Sequence, residues 1–173
     1  MRLHMTTDQY RTIRRYLAAP TERIAFCYTR PAGRGDPDQQ VVGVELPARH
    51  LYTASGRHGA QLTDDVRPHL IQHAHRHDHG LVEAHEHAWP GPRTSFSGID
   101  LDGLADLGPH MIWRLPGRPY IGLVFGLDSL DALVFHPSRD VTGLDEIHAG
   151  DQILRPTGLS LPAYTALSEG VSS

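Results

Sequence analysis

The segment HEHAWPGPRTSFSGID, residues 85–100, places two imidazoles, a hydroxyl and a carboxylate at offsets that suit a metal ion. Side chains alternate along a strand, so His85 and His87 leave the same face, close enough to share one ion. Zinc takes neutral imidazole nitrogen at about 2.0–2.1 Å, and a catalytic zinc pairs three protein ligands with an open position for water. Asp100 can supply the third ligand. Ser97 precedes it by three residues, a spacing that puts both side chains on one side of a helical turn.

A second group invites the same question. The tract HAHRHDH, 73–79, lies in a predicted helix, where His69, His73 and His77 share one face. No carboxylate with clear ligand spacing completes that set apart from Asp78, so the tract reads as a solvated helix end. Cys27 reads as a buried strand residue with no activating base beside it, which argues against a thiol nucleophile.

The elements that must carry these residues can be outlined. Residues 8–19 place Tyr10, Ile13 and Leu17 on one helical face, with Thr7 or Asp8 as the cap and Pro20 as the stop. ERIAFCYTR reads as a strand, with Ile24, Phe26 and Tyr28 on one face, Ala25 and Cys27 on the other, and Glu22 at its mouth. After the turn-rich loop 31–40, strands are expected at VVGVELP and around 50–53. A second helix is predicted over Val66–His77, capped by Asp64 or Asp65 and stopped by Gly80. The histidine strand, 81–88, is broken by Trp89-Pro90-Gly91-Pro92. A short helix over 100–107, a hairpin of PYIGLVFG and DALVFHP, and one short strand within 141–155 complete the outline. The C-terminal LPAYTALSEGVSS gives little signal. This order predicts a mixed α/β (α+β) domain with a central mixed sheet flanked by helices.

Composition narrows the function classes. A chain of 173 residues fits one domain with a real core, and 39% hydrophobic against 21% charged residues excludes wholesale disorder. The net charge of −4 offers no broad basic surface, so nucleic acid is not an expected partner. No apolar run is long enough for a membrane span, the N-terminus lacks a signal-type apolar region, and a single cysteine suits a reducing compartment. A soluble cytoplasmic protein is the expectation. All 16 basic residues are arginine; the chain has no lysine.

H-x-H followed by S-x-x-D across a Pro/Gly loop, with a glutamate heading an earlier strand, resembles the JAB/MPN (JAMM) metallopeptidase family. The matching positions are Glu22, His85, His87, Ser97 and Asp100, and the resemblance spans residues 8–136, leaving 137–173 as a C-terminal extension of a single domain. Three features depart from the family pattern. Glu86 replaces the usual Ser or Thr, Ala88 follows His87 where the family has proline, and the nine residues between His87 and Ser97 exceed the usual spacer. Ser95 would restore the shorter interval, but its partner would be Gly98, which cannot ligate. Glu45 and Glu83 are alternatives to Glu22. A cupin also carries H-x-H on a strand, but Gly91 and Pro92 stand where its glutamate belongs.

The resemblance implies an MPN-type, cytidine-deaminase-like fold and one catalytic Zn²⁺ held by His85, His87 and Asp100. It implies Glu22 as the proton relay and Ser97 as the oxyanion donor. The implied reaction is that of a deubiquitinase-like isopeptidase or peptidase: hydrolysis of the bond after the C-terminus of a ubiquitin-like protein, commonly the isopeptide to a lysine, in deconjugation or precursor processing. Without fused activating (E1-like) or conjugating (E2-like) domains, the chain resembles the standalone deconjugating member of bacterial conjugation operons, some of them antiphage. The absent lysine fits that setting and fits arginine-favouring codon usage equally. Trp89 and Phe96 flank the site loop, where they either line a groove for the tail or pack the loop down. A catalytically silent MPN scaffold, and a zinc hydrolase for small peptide or amino-acid conjugates, are the alternatives.

Overall fold

Thr6 and Gln9 start the first helix. Each side chain bonds the other's backbone N–H, a capping box that sets the N-terminus just before the expected Thr7 or Asp8. In the computed structural model, which describes residues 1–56, 59–87 and 92–170, that helix is α1 (Thr7–Leu17) and follows β1 (Arg2–Met5). Strands β2 (Ile24–Pro31), β3 (Gln39–Glu45), β4 (Tyr52–Ser55) and β5 (Ala60–Leu62) lead to α2 (Val66–His77). Then come β6 (Gly80–Glu86), α3 (Gly98–Arg114), β7 (Tyr120–Phe125) and β8 (Leu130–Phe135). The chain ends with β9 (Val141–Gly143), β10 (Glu146–Ala149), β11 (Gln152–Leu154) and α4 (Ser160–Gly170).

Nine strands form one mixed sheet in the order β11-β10-β1-β3-β2-β6-β7-β8-β9, while β4 and β5 pair separately. Strand β6 runs antiparallel to β2, with Ile24 opposite His85, and parallel to β7, with His85 opposite Val124. Strand alternation sends Ala25, Cys27, Val82, Ala84, Ile121 and Leu123 to one core with Ile13 and Leu17 of α1. It sends Ile24, Phe26, Tyr28, Leu81 and Val124 to a second core with α2, α3 and α4. The β2 face assignments expected from sequence hold. The architecture is a mixed α+β layering, with helices on both faces of the sheet.

Several elements differ from expectation, each for a local reason. α2 stops at Asp78, which adopts the left-handed conformation (φ 60°), not at Gly80. Gly80 instead opens β6, where a Cβ would lie 2.6 Å from Thr29 Oγ1 and 2.8 Å from the Pro119 carbonyl. α3 extends well beyond 100–107 and carries Pro109 inside it, because Leu101, Leu104, Gly108 and Met111 keep one face on the sheet. Residues 141–155 supply three strands, not one, and β10 pairs parallel with β1, a strand not anticipated. The C-terminal segment folds as α4 because the buried Asp131 carboxylate accepts from the Gly158 and Ser160 N–H groups at 2.9 and 2.7 Å. No described helix is long and apolar enough to cross a membrane.

Candidate metal centre

The site forms at the C-terminal end of β6. Alternation places His85 among the α2/α3-side residues, opposite Ile24 and Val124. His87 lies one residue beyond the strand, yet its N–H donates to the Phe125 carbonyl at 2.8 Å, so the pleat continues and both rings share one face. Their Nε2 atoms stand 3.2 Å apart. Asp100 arrives from the first turn of α3, its Oδ2 lying 3.5 Å from His85 Nε2 and 3.2 Å from His87 Nε2.

These three separations identify what the triangle suits. Ligands at about 2.0–2.1 Å from a tetrahedral centre stand about 3.3 Å from one another. The donors on this chain therefore already occupy one face of such a tetrahedron, in the nitrogen-and-carboxylate chemistry that zinc accepts. Glu22 joins them: one ligand atom from each of Glu22, His85, His87 and Asp100 lies within 4.8 Å of the others, and no other group of this kind occurs among the described residues. Continuing the β2–β6 register sets Glu22 opposite His87, and its N–H is tied to the Gly56 carbonyl at 2.8 Å. The alternatives fall elsewhere. Glu45 is exposed at the end of β3, and Glu83, though on the face of His85, is held by Arg67.

Ser97 is the N-cap of α3. Its hydroxyl donates to Asp100 Oδ2 at 2.6 Å, its N–H donates to the same oxygen at 2.8 Å, and its Oγ accepts from the Asp100 N–H. The S-x-x-D spacing is thus a reciprocal cap that aims the carboxylate. Burial opposes ionisation of Asp100, but hydrogen bonds from His85, His87 and Ser97 dominate and hold it far below the usual carboxylate range. Burial likewise opposes a charge on His87, yet Asp100, with help from Glu22, raises its pKa above that of a free imidazole. The Ser95 backbone also hydrogen-bonds to that ring.

Glu86 points to the opposite face of the sheet. Arg14 Nη1 meets its carboxylate at 2.9 Å, Arg14 Nη2 donates to the Gly126 carbonyl at 3.0 Å, and the guanidinium lies 4.6 Å from the Phe125 ring centroid. The ends of β6 and β7 are braced from behind by α1. The site loop is braced too: Thr94 is bonded by Ser129 and Thr157, and the Phe96 N–H donates to Ser160 Oγ at 2.9 Å. Phe96 packs against His85, while Trp89 lies outside the described residues.

A cleft of about 580 Å³ opens onto the centre, in the range of small-molecule and peptide sites. Arg67, Glu83 and Tyr120 line it beside Glu22, His85, His87 and Asp100. Sequence reading found only Glu83 of these, through its place on the face of His85; Arg67 gave no signal, because its partner comes from another element.

The histidine tract is arranged differently. His73 and His77 stack at 4.5 Å between ring centroids, His73 lies 4.3 Å from Tyr28, and His79 joins the stack where His69 was expected. Cys27 is buried and its thiol is pushed up to about 12 by desolvation, so it is inert.

No family model matches this chain, and no curated protein matches it. Among solved structures it is similar to the solution structure of protein DSY2949 from Desulfitobacterium hafniense, with a TM-score of 0.52 and 16% identity over 87% of this chain and 94% of that one. The likeness is one of fold.

Proposed function

We propose that this chain is a zinc-dependent peptidase of the JAB/MPN type, hydrolysing the amide bond that follows the C-terminus of a ubiquitin-like protein. The observation that carries the reading is the triangle of His85, His87 and Asp100, with Glu22 beside it at the edge of an open cleft. Bound by those three ligands, zinc supplies Lewis acidity that makes water a nucleophile near neutral pH.

The chain's own residues do the rest. Glu22 accepts the proton of the attacking water and delivers it to the departing amine. Ser97 has one hydroxyl proton, and it points at Asp100, so its first task is to hold that ligand; donation to an oxyanion requires it to turn away. Phe96 keeps the His85 ring in place. The partners are ubiquitin-like proteins or their conjugates, with E1-like and E2-like enzymes of a shared bacterial, cytoplasmic system, in antiphage defence for example. The sheet, with α1 behind it and α2 and α3 over the site, agrees with an MPN-type arrangement.

Metal analysis and a cleavage assay test this together. The purified protein is expected to hold one zinc per chain at the site and to release cargo fused to a ubiquitin-like C-terminus. Zinc without cleavage would replace the reading by a silent scaffold, and no zinc at the site would overturn it.

A further inference from the structure

The cleft continues past the metal ligands to a polar floor that the chemistry above does not use. Glu83 lies two residues before His85 on the same face of β6, about 7 Å away. Its neighbour on β7 is Gly122, where a Cβ would come within 3.1 Å of Leu104; the glycine spares room between strand and helix. Arg67 reaches in from α2, with Nη2 donating to Glu83 Oε1 at 2.5 Å and Nε to Oε2 at 3.4 Å. The buried Tyr120 hydroxyl donates to Oε2 at 3.1 Å.

The two halves of this ion pair are not equivalent. The Glu83 side chain is 13% exposed and its oxygens already take three donors, whereas Arg67 is 36% exposed. A guanidinium has five N–H groups, and the remainder of those on Arg67 have no protein hydrogen bond among the described residues. The pair turns its cationic end to the cleft. A planar fork of that kind matches a carboxylate in two parallel hydrogen bonds.

We propose that Arg67 binds the α-carboxylate of the leaving group, so that the amide hydrolysed is one joining an acyl tail to a free amino acid or to the last residue of a chain. This rests on the hydrolase reading above and narrows its substrate. The acyl side cannot provide the carboxylate, because its terminal carboxyl is the carbonyl under attack. On the leaving side the α-carboxylate lies about 4 Å from the scissile carbon, and a hydrogen bond of about 3 Å completes the reach toward the Glu83 end of the cleft. A lysine side chain inside a protein has no such group, since its own carboxyl is four methylenes further on and already in a peptide bond. In the reaction, water oxygen bonds to the acyl carbon and the C–N bond breaks with its electron pair left on nitrogen. Glu22 passes one of the water's protons to that nitrogen, and the second follows as the new carboxyl group ionises, giving a tail carboxylate and the ammonium form of a free amino acid.

Titration of the zinc-loaded Glu22→Gln protein with N-acetyl-Gly-Gly-Ala and with its C-terminal amide tests the subsite without turnover. The acid is expected to bind at least about tenfold tighter than the amide, which corresponds to about 1.4 kcal/mol. Adding Arg67→Gln is expected to erase the preference. So is adding the pair Arg67→Gln and Glu83→Gln, which leaves no unpaired buried carboxylate if the single change unfolds the protein. Equal affinity for acid and amide, no binding of the acid at about 10 mM, or a preference that survives both Arg67 variants overturns the proposal. Failure of the hydrolase reading looks different: an Arg67-dependent acid preference persists, while wild-type protein cleaves neither peptide.

Discussion

The histidines at the end of β6 and those of the α2 tract contrast: among the described residues only the former, with Glu22 and Asp100, place ligand atoms where they could hold an ion. His85 and His87 sit on one face of a strand end, their Nε2 atoms 3.2 Å apart and both within 3.5 Å of one carboxylate oxygen. His73, His77 and His79 pack ring against ring, mostly tilted, with interplanar angles of 24–39°, and His73 and His79 also lie beside Tyr28. Ligation needs donor atoms that converge, and among the described residues no three ligand atoms do so in that tract. Density of histidine is therefore a poor guide, and the capped aspartate brought in by α3 makes the difference.

Metal content gives the largest expected contrast. Asp100→Asn or His87→Ala is expected to abolish stoichiometric zinc at the site, while the double change His73→Gln and His77→Gln leaves it intact; the reverse pattern by elemental analysis would place the ion on α2. Next in size is the proton relay. Glu22→Gln should lower kcat by about 10²–10⁴-fold with zinc retained, the cost of removing a general base, and near-normal turnover would remove Glu22 from the chemistry.

The backing of the two groups should differ as well. Glu86→Ala removes the carboxylate that faces Arg14 behind β6; burial already pushes the Glu86 pKa up in spite of Arg14, and Arg14 keeps the Gly126 carbonyl and the Phe125 ring, so the loss is about 1–2 kcal/mol. Thermal unfolding of the metal-free protein should then shift down by about 5 °C. His77→Gln, at an exposed position, should stay within about 0.5 kcal/mol.

The smallest effect separates the groups by sign. The pKa of His87 is raised, because Asp100 and Glu22 outweigh burial. That of His79 is lowered, first by burial and then by His77 and His73. In the metal-free protein, His87 therefore stabilises the fold below the ordinary imidazole pKa and loses that contribution as pH rises through its raised value. His79 acts oppositely, its neutral form favouring the fold at higher pH and costing stability as pH falls below the ordinary imidazole pKa. Zinc affinity should weaken on acidification, since a proton competes for His87. Ring-proton NMR titrations with midpoints in the opposite order would contradict these environments.

How much of this was legible beforehand depended on how local each determinant is. The His85/His87 alternation, the Ser97–Asp100 spacing on one side of a helical turn and the faces of β2 need only neighbours along the chain, and they read directly, whereas the capping role of Ser97 emerged only with α3 in place. The bracing of the site loop by Thr157, Ser160 and Asp131 did not, because each contact joins residues far apart in sequence. The segment beyond 136 looked like an extension for that reason, although it holds Phe96 and Thr94 in place.

The amino-acid order alone determined which side chains had suitable chemistry and which of them shared a face, since strand and helix periods are set by the backbone. Tertiary structure alone decided that Glu22 meets the histidines, that Glu83 is occupied by Arg67, and that the α2 histidines stack instead of converging. Those outcomes depend on how β2, α2 and α3 are set against β6, and side-chain donors serve one ion only when packing fixes them within a few ångströms of one another.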